Sequence, residues 1–415
     1  MIRSMFSAIS GLRTHRTMLD VVGNNIANVN TSGFKGSSVV FQDILSQTIQ
    51  GAGAGAPTAD IGGTNPSQIG LGVAVGRVST NFAQGALQRT DRDMDFAIRG
   101  DGFFTIQNAG EQLFTRAGSL SLDASGRLVT GTGGIVQGWS ADALGNIDTN
   151  APMGNISVPV GDLIPPTPTT DVTLNVNLPT GDPIGEAYTS AVEVYDSQGQ
   201  PILASFTFTK TADNQWTVTG GYGDPTSPTA FTLTDSVVTF DANGVVSAPA
   251  DRNMNVAAGQ IPGVPAFTVS LASTGGRVSQ FGELASVSVT AQNGSAAGSL
   301  QAMSVSQEGV LIGSYSNGRN RAIAQFSLSL FANPEGLEKV GESNFRASVN
   351  SGVAQLSTAG LGGRGLISSG TLEMSNVDLA SEFTNLIVAQ RGFQANSRVV
   401  TASDELLSDI VNLKR

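Results

Sequence analysis

Residues 19–36 read LDVVGNNIANVNTSGFKG, and the fold turns on how that run is understood. Its first half continues an apolar ladder with steps of three and four residues from the start of the chain. Ile2, Met5, Ile9, Leu12, Leu19 and Ile26 fill rungs at 2, 5, 9, 12, 19 and 26, and Arg16 and Gly23 interrupt at 16 and 23. Phe6, Met18, Val22 and Val29 widen the stripe. This spacing predicts a helix with a narrow seam, of the kind that pairs with another helix. Over some 30 residues it would be roughly 40 Å long at 1.5 Å per residue. Then come Asn24, Asn25, Asn28 and Asn30. Amide side chains compete with the helix for backbone hydrogen bonds, so this is where the helix weakens. Thr31-Ser32-Gly33 ends it, and Gly33, Phe34, Lys35 and, further on, Phe41 open a connection to another part of the chain.

The far end of the chain mirrors the near end. Ser375-Asn376-Val377-Asp378 fits a helix-capping pattern with Ser375 as cap, and Gly370 precedes it. In LASEFTNLIVAQRGFQANSRVVTASDELLSDIVNLKR, the residues Leu379, Phe383, Leu386, Phe393, Val400, Leu407 and Val411 form one stripe. Val388, Val399, Leu406, Ile410 and Leu413 form a neighbouring one, and Asn396 shares the helix. Lys414 and Arg415 suit the negative end of a helix dipole. Gly392 sits mid-helix, where glycine costs about 1 kcal/mol against alanine.

Between the ends the period drops to two. SLSLDASGRLVT (119–130) and SVVTFDANGVVS (236–247) read as hairpins, 190–220 as three alternating runs, and AIAQFSLSLF (322–331) as a strand. Gly-rich stretches at 51–72 and 357–370 read as loop-forming joints. The expected fold class is multidomain α+β. Long N- and C-terminal helices pair as a coiled-coil-like terminal domain, and two β-rich domains are inserted between them. The expected division is 1–31 with 371–415 for the helices and 32–72 with 357–370 for an extended Gly-rich connector. A shared β domain takes 73–148 with 282–356, and an inserted outer β domain takes 149–281.

Termini are usually the least ordered part of a domain, yet here they are the most regular. A lone helix with an apolar stripe is marginal in water. The two end helices are therefore expected to pair with each other and with copies from other chains, which makes the protein a homopolymer. In that setting Asn24, Asn25 and Asn28 would bond backbone groups of a neighbouring copy and fix register, as a buried Asn does in coiled coils. Phe34 and Phe41 either sit at a subunit contact or tuck into their own chain.

Chemistry finds little to hold. The chain has no cysteine and one histidine, His15, expected as a solvated or interface side chain, so thiolate metal sites and Ser-His-Asp arrangements lack parts. DRDMD (91–95) has the acid spacing of a calcium loop, but Phe96 and Gly102 stand where the loop needs Gly and Glu, so a turn before a strand is expected. GAGAGA (51–56) imitates a dinucleotide fingerprint without its strand and helix and reads as linker. GDGFF (100–104) lacks a phosphate-loop Lys-Ser/Thr and reads as a tight turn before a strand. No catalytic, metal or cofactor site is expected. The net charge is −11 without a basic cluster, which argues against nucleic acid. No run of about 18 apolar residues spans a membrane. Charged residues make up 13% of the chain, against about 25% in ordinary domains, so its surfaces hydrogen-bond more than they ion-pair. The first 22 residues lack the apolar core of a secretory signal.

Two long segments carry a resemblance. LDVVGNNIANVNTSGFKG (19–36) with Phe41, and SNVDLASEFTNLIVAQRGFQANSRVVTASDELL (375–407), resemble the end signatures of the flagellar rod and hook subunits, the axial proteins of bacterial flagella. GALQRTDRDMDFAIRGDGFFTIQN, LFTRAGSLSLDASGRLVTGTGG and EGVLIGSYSNGRNRAIAQFSLSLFANPEGLEKVG resemble that family's shared β domain. The extra β pattern before NGSAAGSLQAM matches hook-forming members better than distal rod members. The resemblance implies a subunit of a curved, flexible tube that transmits torque from rod to filament. It also implies unprocessed passage through the flagellar type III export apparatus to an extracellular place at the hook and basal body. The partners it implies are further copies, the distal rod subunit, the hook cap protein, the hook–filament junction protein and the hook-length control protein. A distal rod subunit is the nearest rival. A secreted β-rich glycan-binding protein is the rival from another class, and it would need an aromatic cleft, although Trp139 and Trp216 lie far apart in sequence.

Overall fold

In the computed structural model, the described residues are 2–54, 62–159, 161, 163–271, 278–282 and 284–412. Two compact units emerge. One comprises Met1–Pro159, Met303–Gly313 and Arg321–Arg415, the other Val160–Ala302 and Ser314–Asn320. Helices α1 (Ile2–Ala27) and α2 (Leu379–Asn412) close the two ends of the chain, with many strands between them. Among the described residues, no helix is long and apolar enough to cross a membrane.

The second unit follows its period-two pattern closely. Ala187–Tyr195, Pro201–Ala212 and Gln215–Tyr222 form an antiparallel meander, extended by Val237–Phe240 and Val246–Ala248. Along Pro201–Ala212 alternate residues are buried, Phe206 and Phe208 among them. A second sheet is built around Asp171–Asn177, which pairs with Phe267–Ser270 and Ser286–Gln292. Its Val172, Leu174 and Val176 share one core with Trp216, Phe206 and Phe208 of the first sheet. The unit is a sandwich with its large apolar side chains inside.

The first unit carries the helices and its own β part. Strands β1 (Ser37–Asp43), β2 (Ser46–Gln50), β3 (Ser67–Gly70) and β4 (Val73–Thr80) make two antiparallel ribbons, β1 with β4 and β2 with β3. Strands β5 (Leu87–Arg89) and β6 (Phe96–Arg99) pair with Thr371–Glu373 and Leu366–Ser369. Strand β7 (Phe103–Asn108) pairs with β8 (Glu111–Thr115) and Leu328–Leu330. The core here is aromatic: Phe103 packs against Phe82, Phe331 and Phe345 with ring centroids 5.6, 5.9 and 5.8 Å apart. Both expected hairpins, the Asp91–Asp95 turn and the strand after Gly102 are present.

Three local expectations change. The joints at 51–72 and 357–370 are not loops throughout, since β3 and Leu366–Ser369 lie inside them. These pieces are four residues each, too short for period two to show among glycines. Residues 371–373 form a strand, and α2 begins only at Leu379. Its cap is Asp378 in place of Ser375: the Asp378 carboxylate accepts the Ala380 N–H at 2.9 Å, and the Asp378 carbonyl accepts the Glu382 N–H at 2.9 Å. Of the linker GAGAGA, residues 55–56 lie outside the described residues, as do 413–415 with their basic pair.

Candidate assembly site: the helix pair and its connector

Helices α1 and α2 pack along one another, and three contacts fix the direction. The Asn25 side chain donates to Glu382 Oε1 at 3.1 Å, His15 faces Gly392, and Gly11 faces Asn396. Each step forward along α1 is a step back along α2, so the pair is antiparallel. A Cβ added to Gly392 would lie 2.4 Å from the His15 ring, and one added to Gly11 would lie 2.7 Å from the Asn396 amide. The mid-helix glycine that is costly in an isolated helix is thus where the neighbouring helix comes closest.

The contact row differs from the apolar ladder. It runs through Gly11, His15 and Asn25 on α1; Ala8 and Val22 are buried on the same helix, and α2 buries Ala389 and Ser403. Met5, Ile9, Leu12, Leu19, Ile26 and Val29 are half-buried. On α2, Leu386, Asn396, Val400 and Leu407 are half-buried, whereas Leu379, Phe383 and Phe393 are exposed. Phe6 is 61% exposed, Phe383 52% and Ile387 56%. Gly11 and Gly392 mark points of close approach, and Phe6, Phe383 and Ile387 stay outside. The side chains of Ile2 and Val411 lie outside the described residues. His15, expected in solvent or at an interface, is set edge-on to Phe41 with centroids 5.5 Å apart, so Phe41 tucks into its own chain.

The asparagines divide into two kinds. Asn25 is 2% exposed. Its amide donates to the Ser37 carbonyl at 2.7 Å and accepts the Ser37 N–H at 3.0 Å, joining the last turns of α1 to the start of β1. Its bonds are made within the chain and do not await a neighbour. Asn28 donates to the Asn24 side chain at 2.8 Å and accepts from Thr31 at 3.1 Å, and exposed Asn24 leaves that pair at the surface.

Beyond the asparagines the backbone turns sharply. Gly33 has φ 69°, and a Cβ there would lie 2.6 Å from the Ala117 nitrogen, so only glycine fits. Its N–H donates to the Glu373 carbonyl at 2.7 Å. Phe34 lies under the Lys339 ammonium, 5.1 Å from ring centroid to Nζ. Lys35 and Glu373 are both fully buried and paired at 2.6 Å, and Arg116 reaches the other carboxylate oxygen at 3.2 Å. Burial pushes the Lys35 ammonium below its ordinary value, and the Glu373 hydrogen bond opposes this only in part. Burial also lowers Lys339, whose Nζ donates to the Lys35 carbonyl at 2.8 Å. Lys35 was legible in the sequence as part of the connector. Glu373, Arg116, Glu382 and Asn376 were not, and the close helix approach was signalled only by glycines, Gly11 and Gly392.

Trp216 is fully buried and Trp139 nearly so, which leaves neither as a stacking platform for sugars.

The two helices come from the two ends of the chain, and strands fill the sequence between them. Four family models match in chain order: the flagella basal body rod protein model at residues 5–35, the flagellar hook protein FlgE/F/G D1 domain at 97–179, the flagellar basal body protein FlaE D2 domain at 164–295, and the flagellar basal body rod FlgEFG protein C-terminal at 368–413. The chain is 37% identical to the flagellar hook protein FlgE of Treponema pallidum, with all of both chains covered. It is 35% identical to that of Escherichia coli, with 98% of this chain and 99% of the relative covered. The chain belongs to the flagellar hook protein FlgE family, a family of structural subunits of the flagellum. A crystal structure of a Helicobacter pylori flagellar hook protein FlgE2 shares the fold, with a TM-score of 0.54 at 15% identity over 69% of this chain and 100% of that one.

Proposed function

We propose that this chain polymerises into the flagellar hook, a curved flexible tube that passes torque from rod to filament. The observation that carries this is the outward apolar face of the helix pair, with Phe6, Phe383, Ile387 and Val388 uncovered in the single chain. In the polymer these faces pack against further copies as a coiled-coil-like inner layer, and Met5, Ile9, Leu12, Leu19, Ile26, Leu379, Phe393, Val400 and Leu407 contribute to it. Asn24 and Asn28, bonded to each other at the surface, are placed to set register between copies. The β units form outer layers. Their polar, charge-poor surfaces exchange hydrogen bonds through water at little cost as the tube bends.

The same reading places the chain outside the cell, delivered unprocessed by the flagellar type III export apparatus. Its further partners are the distal rod subunit, the hook cap protein, the hook–filament junction protein and the hook-length control protein. Electron microscopy of the concentrated full-length chain tests the reading: curved tubes are expected. Straight, rigid tubes would favour a rod subunit, and persistent monomers would overturn polymerisation.

A further inference from the structure

The connector between helices and β part was expected to be a Gly-rich joint, yet its polar groups are fastened across the chain. Glu373 precedes α2 by a few residues, and Lys35 follows α1 by a few. Glu373 Oε1 accepts from Lys35 Nζ at 2.6 Å and from the Gly85 N–H at 2.9 Å, while Oε2 accepts from Arg116 at 3.2 Å. Arg116 in turn lies 5.3 Å from the Phe103 ring centroid, in the aromatic core. Lys35 Nζ also donates to the Ala83 carbonyl at 2.8 Å. Asn376 accepts the Gly36 N–H at 2.9 Å and donates to the Asn81 and Ala83 carbonyls at 2.8 and 3.0 Å. Asn25 ties α1 to Ser37 and, at 3.1 Å, to Glu382 of α2.

We infer that Glu373, held between Lys35 and Arg116 and flanked by Asn25 and Asn376, is a clasp that locks the helix pair to the β part of the same unit. Both connecting segments end on one buried carboxylate, so neither can swing without uncovering two cations and an anion. A buried pair broken from one side leaves an uncompensated charge, which opposes partial opening. The connector then turns as one piece with the helices. Bending of a polymer is then taken up elsewhere than at this joint.

This inference deepens the torque-transmitting reading but is measured on the soluble full-length chain. Backbone amide exchange at Gly33, Gly36, Ser37 and Gly85 reads the clasp directly, since each of these N–H groups donates into it. Glu373→Gln is expected to speed exchange at these four on the order of tenfold or more. Lys35→Met, which keeps the Arg116–Glu373 pair and so the β part, is expected to do the same at Gly33, Gly36 and Ser37. The chain has no cysteine, so spin labels on Asp20→Cys and Ser121→Cys report one distance between α1 and the β part. A single narrow distance, broadened by Glu373→Gln, supports the clasp. A broad distribution in the parent, or exchange unchanged in both variants, overturns it. A narrow distance in a chain that forms no tubes would refute the polymer reading and leave the clasp standing.

Discussion

The sandwich unit and the helix pair use the same apolar residue types to opposite ends. Around Trp216, the sandwich encloses Phe206, Phe208, Val172 and Leu174 completely. The helix pair sets Gly11 against Asn396 and Gly392 against His15, and leaves Phe383, Ile387 and Leu406 outside. Each arrangement follows from what its backbone permits. Two sheets about 10 Å apart leave room for whole side chains, whereas a close helix crossing admits only small ones. The sandwich is finished as a single chain, and the helix pair still has surface to cover.

The sharpest way to break this contrast is to charge the outer helix face. Phe383→Asp with Ile387→Asp is expected to abolish sedimenting polymer while the thermal transition of the sandwich, followed by Trp216 emission in a Trp139→Phe background, stays in place. Polymer persisting in that variant would mean that other surfaces drive assembly. In the sandwich, Phe206→Ala is expected to cost about 3–5 kcal/mol by chemical denaturation, as for other buried aromatics.

Gly392→Ala separates the two regions by sign. On a free helix alanine would stabilise by up to about 1 kcal/mol. Here the added methyl meets His15, and overpacking of this kind costs about 1–3 kcal/mol. Helix signal at 222 nm during thermal melting should fall earlier, and a later melt would refute the close crossing. Asn25→Ala, which orphans the Ser37 amide and carbonyl, is expected to cost about 1–3 kcal/mol, read by denaturation of the full chain. The smallest effect concerns pH. Because burial lowers Lys35, the folded chain binds fewer protons than the unfolded one between that lowered value and 10.5, so the Lys35 contribution to stability rises with pH across that window. A lysine side-chain NMR titration should place the Lys35 midpoint below 10.5, and Lys35→Met should reduce the slope to the part that Lys339 contributes.

Much of the architecture was legible because it is periodic. The apolar ladder announced α1, the stripes announced α2, and alternation announced Pro201–Ala212 and its neighbours. The contacts within the pair at Gly11, His15 and Asn25 lie beside the ladder, because hydrophobicity marks what a helix must bury somewhere, while size marks where two helices touch. Arg16 and Gly23, which interrupt the ladder, are not faults in the observed contacts, because those run through Gly11, His15 and Asn25 instead. The clasp was unreadable for a different reason: Lys35 and Glu373 are 338 positions apart, and no local pattern pairs one lysine with one glutamate among 33 acids. Asn25 was conspicuous in sequence, but whether its amide bonds its own chain or a neighbour is settled only by where Ser37 lies.

The Asn25–Glu382 contact joins residues 357 positions apart, which sets an order of events during synthesis. At about 5–20 residues per second, a ribosome needs roughly 20–70 s to make the second partner after the first. For that interval α1 exists without α2, and neither the seam nor the clasp can form. The nascent chain can complete its sandwich before its ends meet, and the surface that later joins copies is the last part of the molecule to take shape.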